Sequence, residues 1–245
     1  MNRGFYYACN GMIMNSRKLD CVGNNLANAT TPGYKRDTVL VNRFHEQLIL
    51  VKHREETSGT FGHTYVDTSY TDLEQSSFEY TESPFDVAIF GNVYFNIRGY
   101  NGQTMLTRNG QWELDSEGYL TLSTSGRVLG ERGEIYLGTK DFIIDVDGAI
   151  YQDGQYIDNL RLSYIDPESD VTKFGVNMFT EVDAEEPPEG LKFDIIQGAY
   201  ERSNVDWNYE LAMMMNANRL FEASSEIFKI CDSINQQKAS LCRKV

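Results

Sequence analysis

The sequence predicts an α+β fold in which paired, coiled-coil-like N- and C-terminal helices flank a central antiparallel β domain. Three observations predict this class. Apolar residues recur at helical spacing in both terminal segments. Between them, short alternating apolar runs are separated by Asn-Gly, Asp-Gly and Glu-Gly turns, which is typical of antiparallel strands. Near the C-terminus an apolar residue also recurs every seven positions, as in helices that pair along a narrow seam.

The N-terminal segment predicts a helix with one apolar stripe at three–four spacing, in which Asn15 takes one position. Gly4, Gly11 and Gly23 weaken this helix by about 1 kcal/mol each relative to Ala. A helix of this kind is poorly stable alone, so it needs a partner. Its expected seam residues are Phe5, Ala8, Met12, Leu19, Val22 and Leu26.

The expected partner is a long C-terminal helix over about 206–243, a span that contains no Gly or Pro. Asn204 or Asp206 can cap its N-terminus. One amphipathic helix would by itself indicate packing on a globular core, but two of them at opposite ends of the chain favour a helix pair. Polar Asn216 and Gln237 interrupt the seam and can fix its register. Its expected residues are Met213, Leu220, Ala223, Ile227, Ile230, Ile234 and Leu241.

A strong helix stop follows the first helix. Asn28 and Thr31 compete for backbone hydrogen bonds, and Pro32 pushes the residue before it out of the α region. Gly33 then permits a backbone angle that other residues resist. A helix that runs into an Asn-rich end and a Pro-Gly turn is therefore expected here.

The complete string around this stop is more specific than a turn. It resembles the N-terminal signature of the flagellar basal-body rod and hook proteins, in which a helix ends in NNLAN and a T-PG-[YF] turn follows. The matching residues are Asn24, Asn25, Leu26, Ala27, Asn28, Thr31, Pro32, Gly33 and Tyr34.

A second resemblance to the same family lies near the C-terminus. Residues 198–205 are similar to the signature G-x-LE-x-SNV, which ends here in Ser203, Asn204 and Val205 and departs at Tyr200, where Leu is usual. The segment that follows resembles the family's EM-x-x-MI-x-A-x-R-x-[YF]-E-A run. Its matching residues are Glu210, Met214, Ala217, Arg219, Phe221, Glu222 and Ala223.

The middle of the chain resembles the family's central β domain at residues 84–89, 107–110 and 118–120. The expected domains are the N-terminal helix with its Pro-Gly turn at 1–36, an extended or β linker region at 37–83, the central β domain at 84–185, and a linker with the long C-terminal helix at 186–245.

The sequence shows no convincing active site. It contains no Gly-x-Ser-x-Gly elbow and no phosphate-binding Gly-Lys-Ser/Thr loop. His45, His53 and His63 are eight and ten residues apart, so they do not share a helix face. We therefore expect no catalytic residue, no cofactor, no bound metal and no small-molecule substrate.

Two further patterns have ordinary structural interpretations. Residues 145–148 resemble the start of a calcium loop, but the Gly comes too early and no Glu occupies the twelfth position, so a hairpin turn is expected. The cysteines form no Cys-x-x-Cys pair and suit the role of small buried hydrophobes, although a disulfide between the termini stays open. They are Cys9, Cys21, Cys231 and Cys242.

The net charge of −14 and the lack of a Lys/Arg cluster argue against a general nucleic-acid binder. No signal peptide or membrane-spanning run is apparent, which taken alone predicts a cytoplasmic protein. The resemblance instead implies export without a cleaved signal through the flagellar type III apparatus, and a place in the basal body.

The resemblance also implies the function. We expect a structural subunit of the flagellar rod that assembles helically with copies of itself and with other rod and hook subunits around the export channel. The short chain and compact 37–83 span favour a proximal-rod type, with a distal-rod subunit as the alternative. A β-domain enzyme with a helical oligomerisation stalk is the alternative from a different class.

Overall fold

The computed structural model describes residues 3–43, 64–123, 125–166, 171–180, 187–188 and 190–242 of the 245-residue chain. These residues form two α-helices, α1 (Arg3–Ala27) and α2 (Trp207–Cys242). The first nine strands are β1 (Asp37–Arg43), β2 (Thr64–Thr71), β3 (Phe78–Tyr80), β4 (Val87–Phe90), β5 (Val93–Gly99), β6 (Thr104–Thr107), β7 (Glu113–Leu114), β8 (Leu120–Leu122) and β9 (Gly126–Gly130). The remaining strands are β10 (Gly133–Glu134), β11 (Ile143–Ile144), β12 (Ala149–Gln152), β13 (Gln155–Asn159), β14 (Leu162–Tyr164), β15 (Lys173–Phe174), β16 (Met178–Thr180), β17 (Asp194–Gln197) and β18 (Ala199–Glu201).

The chain divides into two compact units. The helical unit comprises Met1–Ala27, Asp37–Tyr70 and Asp206–Val245, and the β unit comprises Asn28–Arg36 and Thr71–Val205. The predicted α+β class is therefore confirmed. The Pro-Gly turn, which the expected boundaries grouped with the N-terminal helix, belongs to the β unit.

In the helical unit, α1 and α2 pack antiparallel, since residue 5 lies opposite residue 228 and residue 11 lies opposite residue 224. The rings of Phe5 and Phe228 have centroids 4.3 Å apart. A Cβ at Gly11 would lie 3.0 Å from Oγ of Ser224. Glycine, which weakens α1 on its own, therefore lets α2 approach closely.

The residues of α2 that contact α1 are not the expected seam residues. The predicted pairing of the two helices within one chain is corrected accordingly. The contacts with α1 use Ser224, Phe228 and Cys231. The aliphatic seam residues lie on an exposed face, with 41–53% of their surface accessible: Leu220, Ile227, Ile230 and Ile234. Met213 is half-buried, and the side chain of Leu241 lies outside the described part of the chain.

The expected seam of α1 is the less exposed face of that helix. Ala8, Asn15 and Val22 are buried. The remaining members are half-buried: Phe5, Met12, Leu19 and Leu26. Whether either stripe forms a seam between chains stays a prediction.

Asp206 caps α2. Its Oδ1 accepts the backbone N–H groups of Asn208 at 2.9 Å and Tyr209 at 3.2 Å, which satisfies two amides that lack partners within the helix. Of the two residues that the sequence offered as caps, Asp206 takes this role. Neither helix, over its described residues, carries an apolar stretch long enough to cross a lipid bilayer.

The β unit is built mainly from a nine-stranded antiparallel sheet with the path β15-β16-β6-β5-β9-β8-β7, to which β10 and β14 add at β9 and β5. A three-stranded sheet, β11-β12-β13, and the pairs β17-β4 and β18-β3 complete it. Predicted turns join neighbouring strands, as at Gly102, whose φ is +81°. Residues 145–148 form the expected hairpin turn, in which the N–H of Gly148 donates to the Asp145 carbonyl at 2.9 Å.

Apolar residues of both large sheets fill the main core, and a smaller cluster lies between β5, β6 and β16. The smaller cluster consists of Leu73, Tyr94, Leu106, Ile165 and Phe179. The three histidines lie outside the described residues.

Candidate functional site at the junction of the two terminal signatures

The two family-like signatures meet in the β unit, although more than 160 positions separate them. The N–H of Gly33 donates to the carbonyl of Glu201 at 2.8 Å, and the N–H of Asn204 donates to the carbonyl of Tyr34 at 3.3 Å. The Oδ1 of Asn204 accepts the N–H of Arg36 at 2.7 Å. The backbone of the turn and the C-terminal signature are therefore hydrogen-bonded to each other.

The turn is closed locally and requires glycine. Thr31 donates its N–H to the Asn28 carbonyl at 3.1 Å and its hydroxyl to the Asn28 side chain at 3.2 Å. Gly33 has a φ of +65°, and a Cβ there would lie 2.4 Å from the backbone nitrogen of Asn109. Both the backbone angle and the close approach to the backbone of Asn109 therefore strongly favour glycine at position 33.

Three buried charges hold the junction together. The Nζ of Lys35 lies 2.7 Å from one Glu201 oxygen, and an Nη of Arg108 lies 3.2 Å from the other. The three side chains are at most 1% exposed. One carboxylate is therefore paired with two cations, and removing any one member of such a buried cluster is costly.

Other donors of this cluster bind backbone carbonyls, whereas Nε of Arg108 is buried without a hydrogen-bond partner among the described residues. Lys35 donates to the Glu74 carbonyl at 2.7 Å, and Arg108 donates to the carbonyls of Ile89, at 3.2 Å, and Gly91. The guanidinium of Arg108 also lies 4.6 Å from the ring centroid of Tyr94. These partners compensate much of the cost of removing the charges from water.

Burial lowers the pKa of the Lys35 ammonium below its usual range. The Glu201 carboxylate opposes this shift, while the neighbouring Arg108 guanidinium reinforces it. Burial likewise raises the pKa of the Tyr94 hydroxyl. Both shifts follow from burial, because a water-free site disfavours the charged form of each group. The nearby Arg108 guanidinium reinforces the shift of the Lys35 pKa and opposes the shift of the Tyr94 pKa.

The C-terminal signature is anchored along its length. The side-chain nitrogen of Asn204 donates to the carbonyls of Asp72 at 2.9 Å and Glu74 at 3.3 Å. The Ser203 carbonyl accepts the hydroxyl of Ser76 at 2.9 Å, and the Ser203 hydroxyl accepts the N–H of Val205 at 3.3 Å. Thus Ser203 and Asn204 position the backbone that enters α2.

The Asn-rich end of α1 has a separate task inside the helical unit. Asn25 is 1% exposed, and its amide both donates to the Asp37 carbonyl at 2.8 Å and accepts the Asp37 N–H at 3.0 Å. This pair of bonds mimics a strand partner at the start of β1. Asn24 and Ala27 are exposed, and Leu26 is half-buried.

Sequence reasoning missed the three charged residues of the junction. Glu201 stands within the C-terminal signature, Lys35 directly follows the N-terminal one, and Arg108 stands in the run 107–110 that resembles the family's β domain. Their location in or next to family-like segments was the only sequence feature that could have pointed to them. Charged residues are mostly exposed, so composition alone gave no reason to bury them.

The junction offers little for catalysis, because its one buried carboxylate is fully paired. An open polar depression of about 380 Å³ lies beside it, lined by residues such as Arg36, Asp72 and Ser203. Among the described residues, no group of three His, Cys, Asp or Glu side chains is arranged to hold a metal ion. Cys9, Cys21 and Cys231 are in the thiol form, and the Cys21 thiol donates to the Asp37 carbonyl at 3.1 Å. The arrangement suits a structural role.

Comparison with known protein families gives matches to three separate segments of the chain. Residues 5–35 match the family described as flagella basal body rod protein. Residues 88–152 match the flagellar hook protein FlgE/F/G D1 domain, and residues 196–241 match the C-terminal part of the flagellar basal body rod FlgEFG proteins. The first and last matches contain the two signatures of the junction.

Similar proteins of known role span nearly the whole chain. The flagellar basal-body rod protein FlgG of Bacillus subtilis (strain 168) is 29% identical over 99% of this chain and 100% of its own length. FlgF of Mesorhizobium japonicum, a rod protein of the same description, is 26% identical over 94% of this chain and 93% of its own. The hook protein FlgE of Rhizobium meliloti is 33% identical, but over 49% of this chain and 28% of its own length. The chain belongs to the flagellar basal-body rod protein family.

Proposed function

We propose that this chain is a structural subunit of the bacterial flagellar rod, located in the basal body and assembled with other rod and hook subunits. The observation that carries this proposal is the junction itself. Both terminal signatures of the family are present, and they meet at the buried cluster of Lys35, Arg108 and Glu201. The near-complete overlap with FlgG and FlgF rod proteins supports the same function.

The exposed aliphatic stripe of α2 supports assembly through the helices. Leu220, Ile227 and Ile230 are 45–53% exposed, and large apolar side chains along one helix face indicate contact with another chain. In this proposal the terminal helices form the inner tube around the export channel, and the β units form the outer layer. Copies stack head to tail in a non-closing helical array, as heterologous interfaces do.

Export of the chain in an unfolded state, through the flagellar export apparatus and without a cleaved signal, is part of the same proposal. Its support is the membership of the family. A tube that grows around a channel also needs subunits that can pass through that channel.

The proximal-rod type is the favoured position in the rod. The alignment with FlgG of Bacillus subtilis covers 273 positions, more than the 245 residues of this chain, so this chain lacks segments that FlgG carries. The alignment with FlgF of Mesorhizobium japonicum covers 233 positions, fewer than the 245 residues of this chain. The short length supports the proximal type, and a distal-rod subunit is the alternative.

The test is removal of the gene from its native bacterium. We expect basal bodies that lack a complete rod, no external filaments and loss of swimming, all restored by a copy of the gene. A map of the restored basal body with resolved side chains would give the subunit's position and decide between the two rod types. Complete rods in the deletion strain would contradict the proposal.

A further inference from the structure

We propose that Glu201 is an electrostatic latch for the turn Asn28–Arg36: its carboxylate is the counter-charge that keeps Lys35 buried, and its loss releases the turn while the rest of the β unit stays folded. This inference goes beyond the proposed function. It concerns the single chain, so it holds or fails whether or not the chain is a rod subunit.

The charges around the turn make Glu201 indispensable. Lys35 and Arg108 both point at its carboxylate from within a site that is at most 1% exposed. A third cation, Lys173, donates to the Lys35 carbonyl at 2.5 Å and lies 4.4 Å from the ring centroid of Tyr34. Lys173 is half-buried, so without the carboxylate the two fully buried cations, Lys35 and Arg108, would share a water-free space with no counter-charge. Removing one partner of a buried ion pair is costly for this reason.

The two cations differ in how firmly they are held. Arg108 follows β6 directly and has further partners in the carbonyls of Ile89 and Gly91 and the ring of Tyr94. Lys35 sits on the turn, and its other bond is to the Glu74 carbonyl. Lys35 is therefore the cation that leaves, because it can reach water by moving the turn and leaves the sheet intact.

The latch acts on the backbone as well as on the charge. The N–H of Gly33 donates to the Glu201 carbonyl, and the N–H of Arg36 donates to Asn204 three residues further on. The Asn177 side chain donates to the Pro32 carbonyl at 3.3 Å. Movement of Lys35 into water would break these bonds together, so the segment that follows α1 would lose its attachment to the β unit.

Hydrogen exchange of the full-length monomer tests the latch. In Glu201→Gln, which keeps the size and one acceptor oxygen of the side chain, we expect the amides of Gly33 and Arg36 to exchange about 100-fold faster than in the wild type. Amides of β5 should keep their wild-type protection. The matched control is Glu79→Gln, because Glu79 is a largely exposed carboxylate on β3, the strand that pairs with β18. This control should leave all these amides unchanged.

Rescue by a second substitution separates the latch from general stabilisation. Adding Lys35→Met to Glu201→Gln removes the cation that leaves, so protection of Gly33 and Arg36 should return to within about tenfold of the wild type. Three results would overturn the proposal: wild-type protection of the turn in Glu201→Gln, loss of protection throughout the β unit in that variant, or no recovery in the double variant.

Discussion

The buried cluster of Lys35, Arg108 and Glu201 is a specificity device at the scale of single residues. Ion pairs of this kind add little net stability, because desolvation offsets most of the attraction. They do penalise every arrangement in which one member is missing. Since the members come from the turn, from the end of β6 and from β18, only the complete β unit satisfies all three. The cluster therefore selects one arrangement of the two signatures.

Gly33→Ala should destabilise the β unit by about 3 kcal/mol. About 1 kcal/mol comes from the left-handed backbone angle, and the rest comes from the clash of the new Cβ with the backbone of Asn109. Urea unfolding in a Trp207→Phe background measures this change, because Trp112, buried in the main core, is then the sole tryptophan.

Gly102→Ala is the matched control for this prediction. Its φ is also positive, at +81°, but no atom lies within 4 Å of the added Cβ. It should cost about 1 kcal/mol, the backbone contribution alone. Equal losses in the two variants would mean that the close approach at Gly33 carries no energy.

The lowered pKa of Lys35 makes a prediction about pH. Between the folded-state pKa and the ordinary value of 10.5, the unfolded chain binds the proton of this residue more strongly than the folded chain does. Stability therefore rises with pH in this window, and below it the ionisation of Lys35 adds no pH dependence. Urea unfolding of wild type and Lys35→Met from pH 7 to 10.5 should show the wild type gaining stability relative to the variant. A constant difference would contradict the shift.

At the scale of elements, α2 is a 36-residue helix with two different apolar faces. The face toward α1 uses small and aromatic side chains, which allow close approach at Gly4 and Gly11. The other face carries the aliphatic stripe of Leu220, Ile227 and Ile234. One face thus stabilises the helix pair within the chain, and the other is left for a partner.

Substitutions at two neighbouring residues of α2 should affect different properties, namely stability of the monomer and assembly. Phe228→Ala removes the ring that packs on Phe5, so the thermal midpoint of the helical unit should fall in the monomer, at an expected cost of about 3 kcal/mol. Ile227→Asp replaces a half-exposed side chain and should leave that midpoint nearly unchanged while it blocks rod assembly. Circular dichroism and counts of filaments per cell measure the two effects. Normal filament numbers with Ile227→Asp would show that the stripe is not an interface.

At the scale of the whole molecule, the charge is divided unevenly. The helical unit contains 11 acidic and 11 basic residues, whereas the β unit contains 25 acidic and 11 basic residues. The entire net charge of −14 therefore belongs to the β unit. A neutral helical unit can associate without electrostatic cost, but β units of neighbouring copies repel each other.

This partition predicts that self-association strengthens with salt. The screening length falls from about 30 Å at 0.01 M to about 10 Å at 0.1 M ionic strength, which weakens repulsion between β units and leaves apolar contacts intact. Sedimentation of the wild type in increasing NaCl should show larger species. Ile227→Asp should stay monomeric throughout, because it lacks the attractive stripe. Dissociation by salt would instead indicate an interface held by ion pairs.

The sequence by itself determined the elements that local physics controls. Three–four spacing predicted α1 and α2, and glycine turns such as that at Gly102 predicted the antiparallel β domain. The stop at Asn28 and Gly33 was equally clear, because side-chain competition and a positive φ are properties of a few adjacent residues. The two signatures supplied the family for the same reason, since each lies within one short segment.

The tertiary structure alone decided which surfaces these elements use. Periodicity predicted that α2 is amphipathic, but α1 contacts the stripe around Phe228, because Gly4 and Gly11 accept close neighbours there. The turn belongs to the β unit, because its polar groups form hydrogen bonds with Glu201 on β18 and with Asn204, which follows that strand. Lys35 could be placed in the interior only once Glu201, 166 positions away, was known to lie beside it. A buried charge depends on its partner in space, and no local pattern in the sequence reports that distance.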